Sequence, residues 1–207
     1  MDPRSQQITD DFLTLYYPNF TKTRWMGVYA AKCPFDLFVY QELIFELRPD
    51  LIIECGTFDG GSALFLAHMC DITGKGGIIT VDVEARPHPR HKRITYLQGD
   101  TLAPKTIESV SKAARKKKSI MVILDDDHSA AHVLDELRTY STFVTPGSYL
   151  IVEDTIVNGN PILPDFGPGP MEAVQAFLKE SDAFVIDESR EKYLLSFNRQ
   201  GFLKKRY

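Results

Sequence analysis

The chain has 207 residues, of which 43% are hydrophobic and 25% charged, proportions that indicate one globular domain with a small additional lobe at most. Its formal net charge of −4 lacks the basic excess with which proteins bind the phosphates of nucleic acids. No apolar run approaches the roughly 20 residues that a membrane span requires, and the polar, acidic N-terminus does not look like a signal peptide. Three cysteines without metal-binding spacing indicate free thiols, so we expect a cytoplasmic protein that binds neither nucleic acid nor membrane.

The first 35 residues differ from the rest because they are rich in aromatic side chains and lack a long helical period. We predict a helix over residues 5–17, followed by an irregular aromatic segment. That segment either packs against the main domain or covers the substrate as a lid, and it could also support a homo-oligomer. We therefore divide the chain into an N-terminal segment, residues 1–35, and a main domain, residues 36–207.

Apolar strands and helices alternate along the main domain. The predicted helices span residues 36–48, 62–69, 103–116, 129–143 and 170–180. The predicted strands span residues 51–53, 78–81, 94–97, 120–124, 148–152, 183–187 and 193–198. Because near-continuous apolar strands separated by helices form parallel sheets covered on both faces, we predict an α/β fold with a mostly parallel seven-stranded sheet. The last two strands are close in sequence, which indicates an antiparallel ending.

Acidic side chains follow the first five predicted strands, at the edge where ligands bind in sheets of this kind. These acids are Glu54, Asp82, Asp100, Asp125, Glu153 and Asp154. One or two acids in loops need no explanation, whereas acids at five consecutive strand ends indicate a functional site.

A glycine-rich turn joins the first of these strands to a helix. The candidate cofactor-binding residues in it are Glu54, Gly56, Thr57, Gly60, Gly61 and Ser62. The spacing departs from the G-x-G-x-x-G pattern of dinucleotide-binding enzymes, since Phe58 replaces the second glycine. S-Adenosylmethionine carries a sulfonium and no phosphate, so nearby carboxylates favour it over a nicotinamide or flavin cofactor. The alternative is a tight turn that binds no ligand.

Two further acids are candidate cofactor contacts. Asp82 ends the second strand about twenty residues after the glycine turn, where a carboxylate commonly binds ribose hydroxyls. Asp100 would lie near the adenine, although a plain helix N-cap explains it equally simply.

The acids after the fourth and fifth strands predict a metal site. Converging carboxylates repel one another unless a cation joins them, and oxygen ligands favour Mg²⁺, with Mn²⁺ or Ca²⁺ as alternatives. We predict that Asp125, Glu153 and Asp154 bind this cation, and that Asp125 also borders the cofactor. His128 lies three residues beyond Asp125 and is the candidate general base for a substrate hydroxyl. A first-turn helix histidine without chemistry is the alternative.

Further segments resemble those of one known family, the cephalosporin hydroxylase/rhamnosyl O-methyltransferase family, a branch of the class I S-adenosylmethionine-dependent methyltransferases. The resemblance covers about residues 24–207. It is carried by residues 25–27, 32–37, 40–42, 48–54, 60–63, 124–129, 132–134, 146–149, 152–155, 168–170 and 198–203. Together these segments are specific, whereas the glycine turn alone is not.

The resemblance implies a Rossmann-like class I methyltransferase fold and Mg²⁺-dependent O-methylation of a hydroxyl on a small molecule, a natural product or sugar moiety. It also implies the metal and base positions named above. Candidate substrate contacts are Trp25, Tyr29, Asp127 and His132. The alternatives are a nicotinamide-dependent oxidoreductase, a hydroxylase as in the family name, and a non-catalytic partner protein with a methyltransferase fold. No two-histidine, one-carboxylate iron pattern stands out, which favours methyl transfer over hydroxylation.

Overall fold

The structure is a computed structural model that describes residues 2–206. Its helices are α1 (Pro3–Tyr16), α2 (Pro34–Leu47), α3 (Gly61–Ile72), α4 (Pro104–Ala114), α5 (Ala130–Tyr140) and α6 (Pro170–Glu180). Its strands are β1 (Arg24–Trp25), β2 (Val28–Tyr29), β3 (Leu51–Cys55), β4 (Ile78–Asp82), β5 (Ile94–Gln98), β6 (Ile120–Leu124), β7 (Tyr149–Val152), β8 (Phe184–Ile186) and β9 (Phe202–Lys205). Two 3₁₀ helices span Tyr17–Lys22 and Glu188–Glu191. Within the described residues, no helix has the length and apolarity needed to cross a membrane.

Seven strands form one sheet in the order β5-β4-β3-β6-β7-β9-β8. β3 pairs in parallel with both β4 and β6, and β6 with β7. Only β9 is antiparallel to its neighbours. The chain therefore runs outward from β3 in one direction and then returns to extend the sheet in the other, which places the topological switch point between β3 and β6. The predicted parallel sheet with an antiparallel ending is confirmed.

Helices cover both faces of the sheet. α2 and α3 pack on one face, where Leu43 and Leu66 are fully or almost fully buried. α4, α5 and α6 pack on the other, represented by Val110, Leu137 and Val174. The central strands are apolar toward both layers because β6, with the sequence Ile-Met-Val-Ile-Leu, is buried at every position.

The N-terminal segment packs against the main domain. Leu13 of α1 is buried beside Ile156 and Phe197, which belong to the connections that follow β7 and precede β9. An ion pair of 2.5 Å between Asp10 and Arg199 joins the same two regions. These contacts support the packing interpretation of residues 1–35, while the division of the chain into two parts stays a prediction.

Two predicted strands needed correction. Residues 193–198 do not form a strand: Phe197 inserts into the small core beside α1, and the backbone of this stretch turns before β9 begins at Phe202. β3 continues beyond its predicted end, since Cys55 still pairs with Val81 and Leu124. Glu54 therefore lies inside β3 and not beyond its end.

Candidate functional site

A cleft of about 650 Å³ opens at the carboxyl ends of the parallel strands. The predicted site residues that line it are Gly56, Asp82, Asp100, Asp125, Asp127, His128 and His132. Phe58, Thr101, Asp126 and Phe166 line it as well. The cleft lies at the topological switch point, because Gly56 follows β3 and Asp125 follows the neighbouring β6.

The glycine turn is built around a close approach of two backbones. Gly56 has φ +94°, a left-handed conformation that favours glycine, and a Cβ at this position would collide with the carbonyl of Asp125. At the other end of the turn, a Cβ on Gly61 would collide with the carbonyl of Tyr29. Gly60 at φ +81° then precedes the first turn of α3. The glycines therefore let the turn fit between β6 and the N-terminal segment.

The carboxylate of Asp82 organises the turn. Its Oδ2 accepts hydrogen bonds from the backbone amides of Thr57 at 3.0 Å and Phe58 at 2.8 Å. Its Oδ1 accepts one from the amide of Glu84 at 2.8 Å. Asp82 therefore fixes the shape of the cleft floor, and each oxygen retains capacity to accept a further hydrogen bond from a ligand.

Glu54, Thr57 and Ser62 are buried under the turn. The Thr80 hydroxyl donates to Glu54 Oε2 at 2.6 Å, and the Thr57 and Thr80 hydroxyls lie 2.7 Å apart. Asp100 borders the cleft and accepts a hydrogen bond from the Leu102 amide at 2.8 Å. That contact is the N-terminal turn predicted as an alternative, although it leaves the second oxygen of Asp100 free for a ligand.

A lysine that the sequence interpretation did not assign lies at the centre of the acids. The Lys32 ammonium forms ion pairs with Asp125 and with Glu153 Oε1, the latter at 2.7 Å. The Tyr40 hydroxyl also donates to Glu153 Oε1 at 2.8 Å. Lys32 is only 2% exposed, so a positive charge is buried between two carboxylates.

Burial and mutual repulsion shift the protonation of this group. Burial raises the pKa of Glu153 to about 7, the charge of Asp125 adds to the rise, and Lys32 and Tyr40 counteract it. Burial also raises the pKa of Asp125, against the effect of Lys32. Burial lowers the pKa of Lys32, but the neighbouring carboxylates outweigh it and leave the net shift upward. Lys32 is therefore charged across the physiological range.

Asp125, His128 and Asp154 converge at the mouth of the cleft. One potential ligand atom of each lies within 4.8 Å of the others. His128 Nε2 is 3.2 Å from Asp154 Oδ2. Burial lowers the pKa of His128, while the charges of Asp154 and Asp125 raise it, with a net rise. Glu153 lies outside this group among the described residues, because Lys32 and Tyr40 hold its side chain.

Asp154 reaches the cluster because of its backbone. It follows Glu153 directly after β7 and has φ +54°, in the left-handed region that aspartate tolerates better than most residues. This turn sends the two consecutive acids to different partners, Glu153 to Lys32 and Asp154 to His128. The predicted acidic triad is thus brought together through Lys32, and the direct cluster contains His128 in place of Glu153.

The candidate substrate residues separate into two groups. Asp127 and His132 line the cleft, although Asp127 also caps the chain by accepting a hydrogen bond from the Ser129 amide at 2.7 Å. Trp25 and Tyr29 are not among the residues that line it. Trp25 donates to His68 Nδ1 at 2.9 Å on α3, and the Tyr29 ring lies 5.4 Å from that of Phe58. Their contact with a substrate stays a prediction.

The sequence interpretation missed Lys32 and Tyr40 as members of the site. Both lie in segments that carry the family resemblance, but neither stands at a strand end. Lys32 is 93 positions from Asp125 and Tyr40 is 113 positions from Glu153, so no local pattern predicts their contact.

The strand order, the glycine turn and the cleft at the switch point define the chain as a class I methyltransferase fold. The family model described as Rhamnosyl O-methyltransferase/CmcI matches residues 18–206. A rhamnosyl O-methyltransferase from Mycobacterium leprae (strain TN) is 36% identical over 208 residues, covering 96% of this chain and 91% of the relative. The corresponding protein from Mycobacterium tuberculosis (strain ATCC 25618 / H37Rv) is 36% identical, covering 96% and 85%.

Solved structures agree with this assignment. A CmcI structure described as Mg-SAM superposes with a TM-score of 0.69 and 25% identity, covering 91% of this chain and 78% of that one. An apo CmcI structure gives a TM-score of 0.70 at 24% identity with the same coverage. The chain belongs to the rhamnosyl O-methyltransferase/CmcI family, and it is an O-methyltransferase.

Proposed function

We propose that this protein transfers the methyl group of S-adenosylmethionine to a hydroxyl of a small natural product or sugar moiety, assisted by a divalent cation. The observation that carries the proposal is the convergence of Asp125, His128 and Asp154 within 4.8 Å at the mouth of the cleft that starts at Gly56. The printed descriptions of the relatives support it, since they name rhamnosyl O-methyltransferases and a CmcI structure with Mg-SAM.

The cofactor would bind in the cleft. Gly56 leaves room beside the backbone, Asp82 offers carboxylate oxygens to the ribose hydroxyls, and Asp100 borders the adenine end. Thr57, Gly60, Gly61 and Ser62 would shape the turn and the start of α3, and Glu54 would support the turn from below. Asp125 would border the sulfonium, where a negative charge is favourable.

The donor atoms fit a divalent cation. Asp125 and Asp154 supply carboxylate oxygens, His128 supplies an imidazole nitrogen, and all three lie at a solvent-connected cleft. Mg²⁺ is the expected ion, with Mn²⁺ or Ca²⁺ as alternatives. Glu153 would support the site through Lys32 and could ligate the ion only by releasing that contact. When bound, the cation supplies a positive charge that lowers the pKa of a substrate hydroxyl.

His128 and Asp154 would handle the proton. The His128 imidazole accepts the proton of the substrate hydroxyl, and the Asp154 carboxylate, 3.2 Å from Nε2, stabilises the resulting imidazolium. The substrate oxygen then forms a bond to the methyl carbon while the sulfur–carbon bond breaks, leaving S-adenosylhomocysteine. Placement of the two reactants in line is the main contribution of the cleft.

The acceptor would approach over the connection between β7 and α6. Phe166 of this connection lines the cleft and is 43% exposed, as expected of an apolar contact for a ligand ring. Asp127 and His132 would contact the polar side of the acceptor. Tyr29, close to Phe58, would contact the acceptor only if the N-terminal segment moves.

Replacement of His128 tests the proton step. His128→Ala should reduce methyl transfer by about 10²–10⁴-fold, the usual contribution of a general base, while adenosylhomocysteine still stabilises the protein thermally. His91→Ala is the matched control, because His91 contacts Asp71 away from the cleft. Full activity of His128→Ala would refute the assignment of the base.

The cation and the cofactor need separate measurements. Transfer from isotope-labelled adenosylmethionine to a panel of sugar and phenolic hydroxyls should stop after chelation and return with Mg²⁺. Adenosylmethionine and adenosylhomocysteine should each raise the melting temperature, and NAD should not. Undiminished turnover in a chelator would refute cation dependence, and stabilisation by NAD alone would refute the cofactor assignment.

A further inference from the structure

A second group of ligand-type side chains lies beside the first, and the methyl-transfer scheme does not use it as a group. Asp126, His132 and Glu136 each offer one ligand atom, and the three atoms lie within 4.8 Å of one another. His132 Nε2 is 3.3 Å from Asp126 Oδ2 and 3.7 Å from Glu136 Oε1. These three residues are called the inner cluster below.

The secondary structure explains the convergence. His132 and Glu136 are four positions apart on α5, so both side chains project from one face of the helix. Asp126 belongs to the short connection between β6 and α5 and is directed back toward that face. Helical pairs at this spacing, completed by an acid from a preceding loop, are a compact way to present three ligands.

The inner cluster is short of hydrogen-bond donors. Glu136 is fully buried, and neither of its carboxyl oxygens accepts a hydrogen bond from any described residue. The Oδ1 of Asp126 is buried without a partner as well, although its Oδ2 accepts from the Thr101 hydroxyl at 3.0 Å. Buried carboxylate oxygens without partners are costly, so this arrangement requires a further positive charge or a bound proton.

Charge balance narrows the choice. Two carboxylates with a protonated His132 carry a net charge of −1, whereas two carboxylates with a neutral imidazole balance one divalent cation. Burial raises the pKa of Glu136 to about 7, so a proton on Glu136 is the competing way to neutralise the group. A proton satisfies one oxygen, while an ion at the centre of the cluster contacts a ligand atom of all three side chains.

We propose that Asp126, His132 and Glu136 form a second cation site, which binds a divalent transition-metal ion of the Zn²⁺ type. One imidazole nitrogen with two carboxylates suits such an ion better than it suits Mg²⁺, which prefers oxygen ligands alone. Asp126 and His132 line the cleft, so the ion reaches the site from solvent and retains an open coordination position there.

The ion would join the connection before α5 to the helix itself. That connection also carries Asp125 and His128 of the first cluster. The second ion therefore acts as a structural brace that fixes the position of the proton-accepting histidine, and it takes no part in methyl transfer. The proposal does not depend on the methyl acceptor or on Mg²⁺ at the first cluster.

Zn²⁺ titration of the chelator-stripped full chain tests the proposal. Calorimetry and elemental analysis after gel filtration should show one more bound ion in the unsubstituted protein than in Glu136→Gln. Glu136→Gln keeps the size of the side chain and removes its charge, and Asp154→Asn does the same at the first cluster. Loss of a ligand should weaken binding at the affected site by at least about tenfold.

The two sites are distinguished by which variant loses an ion. Retention of the inner ion in Asp154→Asn and its loss in Glu136→Gln support the proposal, whether or not the first site binds. Equal Zn²⁺ uptake by Glu136→Gln and the unsubstituted protein overturns it, and so does a failure of both to bind an ion that depends on His132. Circular dichroism monitors folding. If Glu136→Gln does not fold, His132→Gln replaces it, with Co²⁺ absorption bands as the second readout, present in the unsubstituted protein and lost in His132→Gln.

Discussion

Replacing Lys32 by methionine removes a buried positive charge and keeps an unbranched side chain. Lys32 is 2% exposed and its partner Glu153 is 5% exposed, so solvent cannot replace the lost interaction. Removing one partner of a buried ion pair costs about 3–5 kcal/mol, because the remaining charge stays buried without compensation. We expect Lys32→Met to lower the free energy of unfolding by about this amount near pH 8.

Urea denaturation monitored by circular dichroism measures the loss. Lys75→Met is the matched control, since Lys75 pairs with Asp50 at 2.9 Å but is 42% exposed. An exposed pair contributes at most about 1 kcal/mol, so the control should lose little. Equal losses in the two variants would refute the view that Lys32 neutralises the buried acids.

The loss should depend on pH and on added cation. Burial raises the pKa of Glu153 to about 7, so acidification below that value protonates it and reduces the penalty for the missing ammonium. If the first cluster binds Mg²⁺, as proposed, Mg²⁺ should stabilise Lys32→Met more than the unsubstituted protein. Stabilisation of both proteins to the same extent would separate the role of Lys32 from that of the cation.

Two further substitutions probe the turn and the N-terminal contacts. Gly56→Ala should lose adenosylhomocysteine binding in calorimetry, because the new Cβ collides with the Asp125 carbonyl; Gly74→Ala, with a similar positive φ but open space, is the control, and unchanged binding by Gly56→Ala would contradict the close approach. Asp36 is buried, and burial raises its pKa to about 7, although the Ser196 hydroxyl donates to it. The folded state then holds a proton that the unfolded state releases above about pH 4, so stability should fall with rising pH by up to about 1.4 kcal/mol per unit until pH 7. Asp36→Asn should remove this part of the slope in denaturation curves across pH, and parallel curves would contradict it.

The sheet was predictable from the sequence because its strands are uniformly apolar and its helices have clear ends. Residues 120–124 and 170–180 were predicted to the residue. The last strand was missed because Phe202–Lys205 is half basic, while residues 193–198 contain more apolar side chains. Apolar content predicts burial, and in residues 193–198 the burial comes from packing against α1 and not from strand pairing.

The candidate site was predictable to the extent that it follows strand ends. Asp82, Asp125 and Asp154 all reach the cleft or its mouth as their positions implied. The contacts that decide the role of each acid come from distant elements. Tyr40 on α2 and Lys32 before it determine where Glu153 is directed, and no spacing in the sequence encodes that choice.

Lys32 also changes the charge that a cation at this edge must balance. Asp125, Glu153 and Asp154 together carry three negative charges when ionised, a number that no single divalent ion neutralises. The buried ammonium of Lys32 removes one of them, which leaves a charge of −2 for one divalent cation. His128 can then stay neutral and accept a proton, because the ion and Lys32 together have balanced the acids around it. On this reasoning the lysine and the cation have separate roles: Lys32 compensates the buried side of the acids, and the ion compensates the side that faces the cleft.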